Sequence, residues 1–266
     1  MGPASLADAL EAVLRAKRAA VNAASAWTRV DGTVEEEVEV EVVEAIPNVP
    51  ERNLYVIDRV LTAGECKQII QLAESRDALE HYTSPKSPEY AYRDHHRVKF
   101  QSTGLADVLW RETVLERAFD TVIGRGSRIV GRAIGLNPEL KLYRYSGGES
   151  FGKHIDGSEV VSGGDGRPVG RTEYTVLFYL SNTVGGDTVF YDDEGHRIAS
   201  IVPEQGKVVI HRHGQDKCLE HEALPVVEGS VKYVLRTDVV FSPGRTALFA
   251  LVPQDEMADG ATFTRV

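Results

Sequence analysis

Two residue types that bind metal ions stand two positions apart in the segment His154-Ile155-Asp156. On an extended strand, residues i and i+2 leave the same face, so this imidazole and this carboxylate could reach one ion together. A single pair of this kind also arises by chance in a chain of this length, and alone it would indicate only a surface coincidence. The pair predicts a metal site only if a third donor accompanies it.

His221 is the third donor, and it lies shortly before a β-rich run that carries Lys232 and Arg236. Two histidines and one carboxylate on one face of an octahedral ion leave adjacent positions open, which is the arrangement of non-haem Fe(II) oxygenases. A 2-oxo acid could occupy two of these positions and O2 the third. The distal carboxylate of the 2-oxo acid then needs a buried cation, which Lys232 or Arg236 could provide from one face of the strand.

The elements that must position these residues change in type along the chain. Ser5-Leu6-Ala7-Asp8 and the capping box Thr62-Ala63-Gly64-Glu65 each precede apolar residues at helical spacing, and a further helix is predicted over residues 105–122. Short β-rich runs follow at 140–145, 174–180, 188–191, 207–211 and 232–241. Helices followed by closely spaced strands predict an α+β chain whose second half is a β-sandwich or jelly roll.

The first 50 residues contain an acidic stretch in addition to the first helix. Residues 31–44 alternate Val with Glu, which favours an edge strand over an acidic recruitment surface. We expect residues 1–50 to form a helix and this acidic edge segment, residues 51–245 to form the main domain, and residues 246–266 to pack on it as a C-terminal extension.

Composition narrows the classes of partner. The net charge of -10 in 266 residues makes nucleic acid and anionic membranes unlikely partners, and no apolar run approaches the roughly 20 residues that span a bilayer. The two cysteines, Cys66 and Cys218, form no disulfide framework, which favours a reducing, cytoplasmic setting. The sequence leaves the oligomeric state undetermined.

Six ordered blocks resemble the prolyl 4-hydroxylase-like branch of the Fe(II)/2-oxoglutarate-dependent dioxygenases, over roughly residues 53 to 241. The blocks are Gly135-Leu136-Asn137-Pro138, Leu142-Tyr143-Arg144-Tyr145-Ser146-Gly147-Gly148 with His154-Ile155-Asp156, Thr175-Val176-Leu177-Phe178-Tyr179-Leu180-Ser181-Asn182, Gly185-Gly186-Asp187-Thr188-Val189-Phe190, Pro203-Glu204-Gln205-Gly206, and the His221 segment that ends at Lys232-Tyr233-Val234-Leu235-Arg236-Thr237-Asp238. Their order makes the resemblance more specific than any single block.

The resemblance implies a double-stranded β-helix core with flanking N-terminal helices, and an enzyme that uses Fe(II), 2-oxoglutarate and O2. It implies that His154, Asp156 and His221 bind iron, that Tyr145 touches 2-oxoglutarate, and that Lys232 pairs with its distal carboxylate. The gap between His221 and Lys232 is longer than the family's usual one, so Arg236 stays an alternative.

The substrate implied by the resemblance is a peptidyl proline, and a small amino-acid-like metabolite is nearly as consistent with the sequence. Because related halogenases lack the metal-binding carboxylate, the presence of Asp156 favours hydroxylation or desaturation, with release of succinate and CO2.

The same residues allow other interpretations. A non-catalytic, cupin-like metal-binding module could use the same three ligands, and the acidic stretch could define an interaction protein. Gly185-Gly186 indicates a hairpin turn, and Thr188 next to it could reach the cosubstrate. The remaining polar candidates are interpreted as surface or supporting groups, and Arg97 among them as a substrate contact: His95, His96, Arg97, His211 and His213. Residues 76–92 and 157–171 are expected to be loops.

Overall fold

A computed structural model describes residues 5–28, 42–44, 53–87, 90–123, 129, 131–214 and 217–243. Its helices are α1 (Leu6–Thr28), α2 (Ala63–Ser75), α3 (Thr103–Arg111) and α4 (Leu115–Ala118), and a π-helical segment, Phe119–Ile123, continues α4. None of the described helices is both long enough and apolar enough to cross a lipid bilayer.

The two helix starts predicted from the sequence are confirmed by their capping hydrogen bonds. Asp8 accepts hydrogen bonds from the backbone and hydroxyl of Ser5 at the start of α1. At α2 the Thr62 hydroxyl accepts from the Glu65 N–H, and the Glu65 carboxylate accepts from the Thr62 N–H at 2.7 Å. These reciprocal bonds satisfy backbone donors that have no partner within a helix, and so they fix where each helix begins.

The single helix predicted over residues 105–122 is wrong, because the structure breaks it after Arg111. The Thr113 hydroxyl donates to the carbonyl oxygen of Leu109 and accepts from the Leu115 N–H. A threonine hydroxyl that bonds to nearby backbone in this way competes with the helical hydrogen bonds. Val114 then starts the short helix α4 without a side-chain cap.

Fourteen strands are described. They are β1 (Val42–Glu44), β2 (Leu54–Ile57), β3 (Glu80–Ser84), β4 (Arg93–Gln101), β5 (Ala133–Leu136), β6 (Glu139–Tyr145), β7 (Ser150–His154), β8 (Val160–Ser162), β9 (Pro168–Tyr179), β10 (Thr188–Tyr191), β11 (Arg197–Ile201), β12 (Val208–Arg212), β13 (Glu220–Ala223) and β14 (Lys232–Phe241).

The strands form one curled antiparallel sheet in the order β1-β2-β12-β9-β14-β6-β4-β7-β13-β10-β11. The first seven strands in this order make a large half: β1, β2, β12, β9, β14, β6 and β4. The last four make a small half: β7, β13, β10 and β11. The two halves are joined where Arg93 pairs with Phe151. Except for β1-β2 and β10-β11, strands adjacent in this order are not consecutive in sequence. This is the connectivity of a double-stranded β-helix, and it confirms the predicted fold class.

Each face of the large half packs against a different partner. Along β9, Tyr174, Val176 and Phe178 lie in a core shared with Leu10, Leu14 and the apolar faces of α2 and α3. Tyr179, on the opposite face of the same strand, lies in a second core with Phe151 and Phe190 from the small half. This alternation follows from the two-residue period of a strand, and it leaves the space between the halves for polar side chains.

Two local predictions differ from the structure. Gly185-Gly186 connects β9 to β10, but these strands do not pair with each other, so the segment passes from the large half to the small half instead of forming a hairpin. The expected loops at 76–92 and 157–171 contain β3 and β8, which extend the edges of β4 and β9. No strand signal was visible in the sequence for β3, because its residues are mostly polar, or for β8, because it has only three residues.

The expected division of the chain is described only in part. The helix α1 lies on the main domain and contributes Leu10 and Leu14 to its core. In the acidic stretch, Val42–Glu44 pairs with β2, as an edge strand would. The rest of that stretch and the C-terminal extension at 246–266 lie outside the described residues.

Replacing Thr62 by Ala should lower the free energy of unfolding by about 1 kcal/mol, because the cap of α2 is lost. Replacing it by Ser keeps the capping hydroxyl and serves as the control, with no expected loss of N-cap stabilisation. Urea denaturation checks both values. Equal losses in the two variants would show that the hydroxyl does not cap the helix.

Candidate functional site

The site is organised by one pair of residues on neighbouring strands of the small half. His154, the last residue of β7, pairs directly with His221 of β13. Residues directly opposite in an antiparallel pair point to the same face with their Cβ atoms about 5 Å apart. The two imidazole rings accordingly lie side by side, with their centroids 4.2 Å apart, and face the large half.

Asp156 follows the end of β7 and completes the group. Its Oδ1 lies 3.8 Å from Nε2 of His154, and its Oδ2 lies 3.7 Å from Nε2 of His221. One donor atom from each of the three side chains lies within 4.8 Å of the other two. The structure therefore brings together all three residues that the sequence analysis selected as metal ligands.

Both imidazoles are oriented for binding a cation. Nδ1 of His154 lies 2.9 Å from the carbonyl oxygen of Gly152, and Nδ1 of His221 lies 2.9 Å from the carbonyl oxygen of Leu219. A carbonyl only accepts, so each Nδ1 carries the proton and each Nε2 presents its lone pair toward Asp156. Metal-binding histidines are commonly held in this way, and the donor set suits Fe(II).

The protonation states also suit a metal site. Burial, followed by the neighbouring His221, lowers the pKa of His154 from 6.5 to about 3. Burial alone would raise the pKa of the Asp156 carboxyl, but Arg236 and the surrounding histidines lower it well below its ordinary 3.8. The carboxyl is therefore an anion, and the imidazole of His154 is a neutral donor, near pH 7.

Asp156 is supported by side chains from the large half. The Thr175 hydroxyl donates to Oδ2 at 2.8 Å and accepts from Nδ1 of His213 at 3.1 Å. Arg236 Nη1 lies 3.1 Å from Oδ1, and its Nη2 lies 3.5 Å from Asp238. These contacts fix the carboxylate in one orientation and balance its buried charge.

Lys232 lines the same cavity as Asp156. It lies four residues before Arg236 on β14, so the two side chains share a face of the strand. Its Nζ donates to the carbonyl oxygen of Gly186 at 2.5 Å and to the Thr188 hydroxyl at 3.4 Å. Tyr179 donates to the same hydroxyl at 2.6 Å. Within the described residues, no carboxylate lies within ion-pair distance of the Lys232 ammonium group.

The connection at Gly185-Gly186 is shaped to receive Lys232. Gly186 has a φ of 71°, a region that favours glycine. A Cβ at this position would lie 2.9 Å from Cγ2 of Val226 and 3.2 Å from Cδ of Lys232. The missing side chain therefore lets the backbone carbonyl approach the ammonium group closely.

A cavity of about 450 Å³, including its open mouth, connects the buried lysine to the histidines. It is lined by Tyr143, Tyr145, Phe151, His154, Asp156, Leu177, Tyr179, Thr188, His221, Glu222, Ala223, Lys232, Val234 and Arg236. All seven site residues selected from the sequence are among these.

Three residues of the site were missed or undervalued by sequence reasoning. Thr175 and Tyr179 lie on the interior face of a strand that was predicted, and their two-residue spacing could have selected them. His211 was interpreted as a surface or supporting group, but it is 1% exposed and its Nε2 lies 3.6 Å from Asp156 Oδ2. No sequence signal distinguished it from His213, which lies two positions away.

The other polar candidates do not line the cavity, although His95 packs against three residues that do. His95, His96 and Arg97 belong to β4 rather than to a segment between strands. The Arg97 guanidinium stacks on the Tyr82 ring at 3.7 Å. Arg97 pairs with Tyr143 across the sheet, so it lies on the same face as the cavity but one strand further out.

A family model described as "2OG-Fe(II) oxygenase superfamily" matches residues 140–237, the segment that contains His154, Asp156 and His221. The fold and the site define an oxygenase of the double-stranded β-helix class. This segment of the chain is therefore similar to a superfamily whose members use Fe(II), 2-oxoglutarate and O2. A search of curated proteins finds no match.

Solved structures with a similar fold are more distant. A viral collagen prolyl hydroxylase of Paramecium Bursaria Chlorella virus-1, in a 2OG complex, is 17% identical, with 71% of this chain and 96% of that chain covered and a TM-score of 0.49. A Pseudomonas putida prolyl-4-hydroxylase is 19% identical, with 72% and 93% covered and a TM-score of 0.47. A Trichoplax adhaerens prolyl hydroxylase, in complex with a hypoxia inducible factor peptide, is 18% identical, with 76% and 87% covered and a TM-score of 0.49.

The buried ammonium group of Lys232 gives the folded protein a characteristic pH dependence. Burial lowers the pKa of Lys232 from 10.5 to about 7. Between these two pH values the unfolded chain binds more protons than the folded chain, so the contribution of Lys232 to the free energy of unfolding increases as the pH rises. Below pH 7 Lys232 is charged in both the folded and the unfolded chain, so the free energy of unfolding is lowered by the full cost of burying the charge.

Replacing Lys232 by Met should therefore stabilise the metal-free protein most below pH 7, and this difference should shrink as the pH is raised toward 10. Urea denaturation of both proteins at pH 6.5, 8 and 9.5 measures the difference. A difference that does not change with pH would contradict the assignment of Lys232 as a buried ammonium group.

Proposed function

We propose that this enzyme binds Fe(II) through His154, Asp156 and His221 and hydroxylates an unactivated C–H bond, with release of succinate and CO2. The observation that carries the proposal is the convergence of two Nε2 atoms and one carboxylate beside a cavity whose other end holds an ammonium group. This arrangement matches the needs of a metal ion and of a dicarboxylate with a 2-oxo group.

Lys232 is the residue that we propose for the distal carboxylate of 2-oxoglutarate. It is buried without a carboxylate partner among the described residues, whereas Arg236 already contacts Asp156 and Asp238. A dicarboxylate ligand would supply the missing counter-charge at Lys232. Arg236 has a different role in this proposal, which is to hold Asp156.

Thr188 and Tyr145 complete the proposed cosubstrate pocket. The Thr188 hydroxyl already accepts from Tyr179 and Lys232, so its own proton is available to a carboxylate oxygen. Tyr145 pairs with Lys232 across the sheet, and burial raises its pKa well above 10. Its hydroxyl is therefore a neutral donor, as the resemblance to the family implies.

Bound iron with 2-oxoglutarate and O2 would supply the oxidant that removes hydrogen from carbon and returns a hydroxyl group. The protein's part is to fix the donors, to present the ammonium group and to exclude water with the aromatic walls of the cavity. Asp156 favours hydroxylation over halogenation, because it occupies the position that a halide would need.

We propose a peptidyl proline or a small amino-acid-like metabolite as the substrate. The proposal rests on the blocks that resemble prolyl 4-hydroxylases and on the cavity that His154 and Glu222 help to line. A non-catalytic, cupin-like module would give no reason to bury Lys232 at the far end of that cavity.

Replacing Asp156 by Ala should abolish Fe(II) binding and succinate formation, because the remaining two imidazoles lose the only anionic donor of the group. Metal content and 2-oxoglutarate turnover are the measurements. Asp192→Ala is the matched control, because Asp192 lies in an exposed group with Glu194 and His196. Full turnover in the Asp156 variant would contradict the proposed site.

The proposed roles of Lys232 and Arg236 can be distinguished by measuring 2-oxoglutarate binding and Fe(II) binding separately. Replacing Lys232 by Met should weaken 2-oxoglutarate binding by roughly 10- to 100-fold and leave Fe(II) binding in place, because a charge-assisted hydrogen bond is lost. Replacing Arg236 by Met should mainly weaken Fe(II) binding. Anaerobic titration of the Fe(II) protein, followed by its charge-transfer absorption, measures the first effect. The reverse pattern would assign the distal carboxylate to Arg236.

A further inference from the structure

A second cleft lies beside the cavity, where β3 pairs with β4, and its lining includes Tyr82 and Arg97. Arg97 pairs with Tyr143, which lines the cavity, so these two side chains lie on one face of the sheet. The ring centroid of His95 lies 5.7 Å from that of Tyr82 and 5.2 Å from that of Tyr143. An aromatic wall therefore connects the cleft to the cavity.

Arg97 is a cation without an anion. The central carbon of its guanidinium lies 3.7 Å from the centroid of the Tyr82 ring. The ring covers one face of the guanidinium, and the five N–H donors remain in the plane at its edge. Among the described residues, these donors have no hydrogen bond and no ion pair. Arg212 differs, because it also lies over a tyrosine ring but has Glu173 at 3.0 Å.

The charges around Arg97 leave this face positive. Lys99 and Lys141 share one carboxylate, that of Glu139, at 2.6 Å and 3.1 Å. Glu80 stands opposite Arg97 on β3, but within the described part of the chain the two form no ion pair. Three cations thus face two carboxylates in a protein whose net charge is -10. This local excess of positive charge favours an anionic ligand at the cleft.

The distance from the cavity limits what that ligand can be. Arg97, Tyr143 and Val234 stand directly opposite one another on three neighbouring strands, and Val234 lines the cavity. Neighbouring strands are about 4.8 Å apart, so Arg97 lies roughly 10 Å from Val234. Its guanidinium is no nearer, because it lies over Tyr82 on the β3 side of β4.

An extended chain covers about 3.3 Å per residue, so three residues are needed for roughly 10 Å. A single amino acid does not cover this distance. A ligand that reaches both Arg97 and the cavity is therefore at least the length of a short peptide.

We propose that Arg97 binds the carboxylate of an acidic residue in a peptide substrate, about three positions from the residue that is hydroxylated. The inference rests on the proposed function as a hydroxylase, and it selects an acidic peptide over a free amino acid as the substrate. Two parallel N–H···O bonds fix the position of the carboxylate. Arg97 thereby determines which residue of the peptide reaches the cavity.

The first experiment measures the charge preference of the enzyme with Fe(II), 2-oxoglutarate and O2. The probes are seven-residue peptides with a central proline and with Asp, Asn or Lys three positions before or after it. Hydroxylation is followed by mass spectrometry. At one of the two placements, kcat/KM for the Asp peptide should exceed that for the Asn peptide by roughly 10-fold, because a charge-assisted contact is gained.

Three results of this experiment would overturn the inference. They are equal rates for the Asp, Asn and Lys peptides, hydroxylation of free proline in preference to every peptide, and no hydroxylation of any peptide.

Variants of Arg97 test whether this residue is the source of the preference. In Arg97→Gln the ratio between the Asp and Asn peptides should fall to about 1, because the charge is removed. In Arg97→Glu the Lys peptide should become the best of the three. A variant that is merely misfolded would lose all three peptides alike, so a reversed preference reports the contact itself. An unchanged Asp preference in Arg97→Glu would contradict the assignment.

Lys99→Gln is the matched control, because Lys99 lies on the same face but already has Glu139 as its partner. Glu139 keeps Lys141 in this variant. The preference for the Asp peptide should equal that of the wild-type protein. A loss as large as that in Arg97→Gln would assign the preference to the general charge of the face, and the inference would fail.

Anaerobic titration of the Fe(II) protein with 2-oxoglutarate separates this inference from the proposed function, because it needs no peptide. Charge-transfer absorption without any preference for an acidic peptide would overturn the inference alone and leave the metal and cosubstrate site in place. If no such absorption appears, the proposed function itself fails, and the inference fails with it.

Discussion

The site depends on the register between two short strands. His154 and His221 form a direct pair between β7 and β13, so one backbone alignment places both rings on the interior face. A shift of either strand by one residue would turn the histidine of that strand to the outer face, because side chains alternate along a strand. A register irregularity follows immediately, between His221 and Ala223, and Glu222 lies within it. The pairs His221–His154 and Ala223–Phe151 therefore have different registers.

Placing a carboxylate between these rings requires compensation from the large half of the sheet. Asp156 is 6% exposed, and an isolated buried carboxylate is costly. Thr175 and Arg236 supply a hydrogen bond and a positive charge from two adjacent strands. The three proposed metal ligands therefore come from one half of the sheet, and the side chains that support Asp156 come from the other. Closure of the curled sheet is what assembles the site.

The two basic residues of strand β14, Lys232 and Arg236, are buried to different depths. Lys232 and Arg236 share a face and are separated by roughly 13 Å of strand, at about 3.3 Å per residue. The deeper residue faces Gly186 and Thr188, and the other faces Asp156. Lys232 is buried and Arg236 is partly buried, and the partners of the two cations differ. This difference, which the spacing on the strand could not reveal, separates the proposed cosubstrate contact from the support of the metal ligand.

Local patterns predicted much of the fold correctly. Both capping boxes, and the strands at 188–191 and 232–241, lie where the sequence placed them, because a cap or an alternating apolar run is decided by neighbouring residues. Polar strands such as β3 and β4 gave no such signal, since their pairing partners, and not their composition, make them strands. The break after Arg111 was missed for a related reason, because one threonine hydroxyl outweighed an apolar pattern that continues through it.

The sequence by itself determined the chemical types of the site: two histidines and a carboxylate, a nearby lysine and arginine, and a chain rich in short strands. Those types follow from residue identity and from spacing within single elements. The tertiary structure decided which groups face one another: that Arg236 contacts Asp156, that Lys232 is buried without a carboxylate partner among the described residues, and that His211 lies beside His221. These relations join strands that are distant along the chain, and only the curled sheet brings them within a few ångströms of each other.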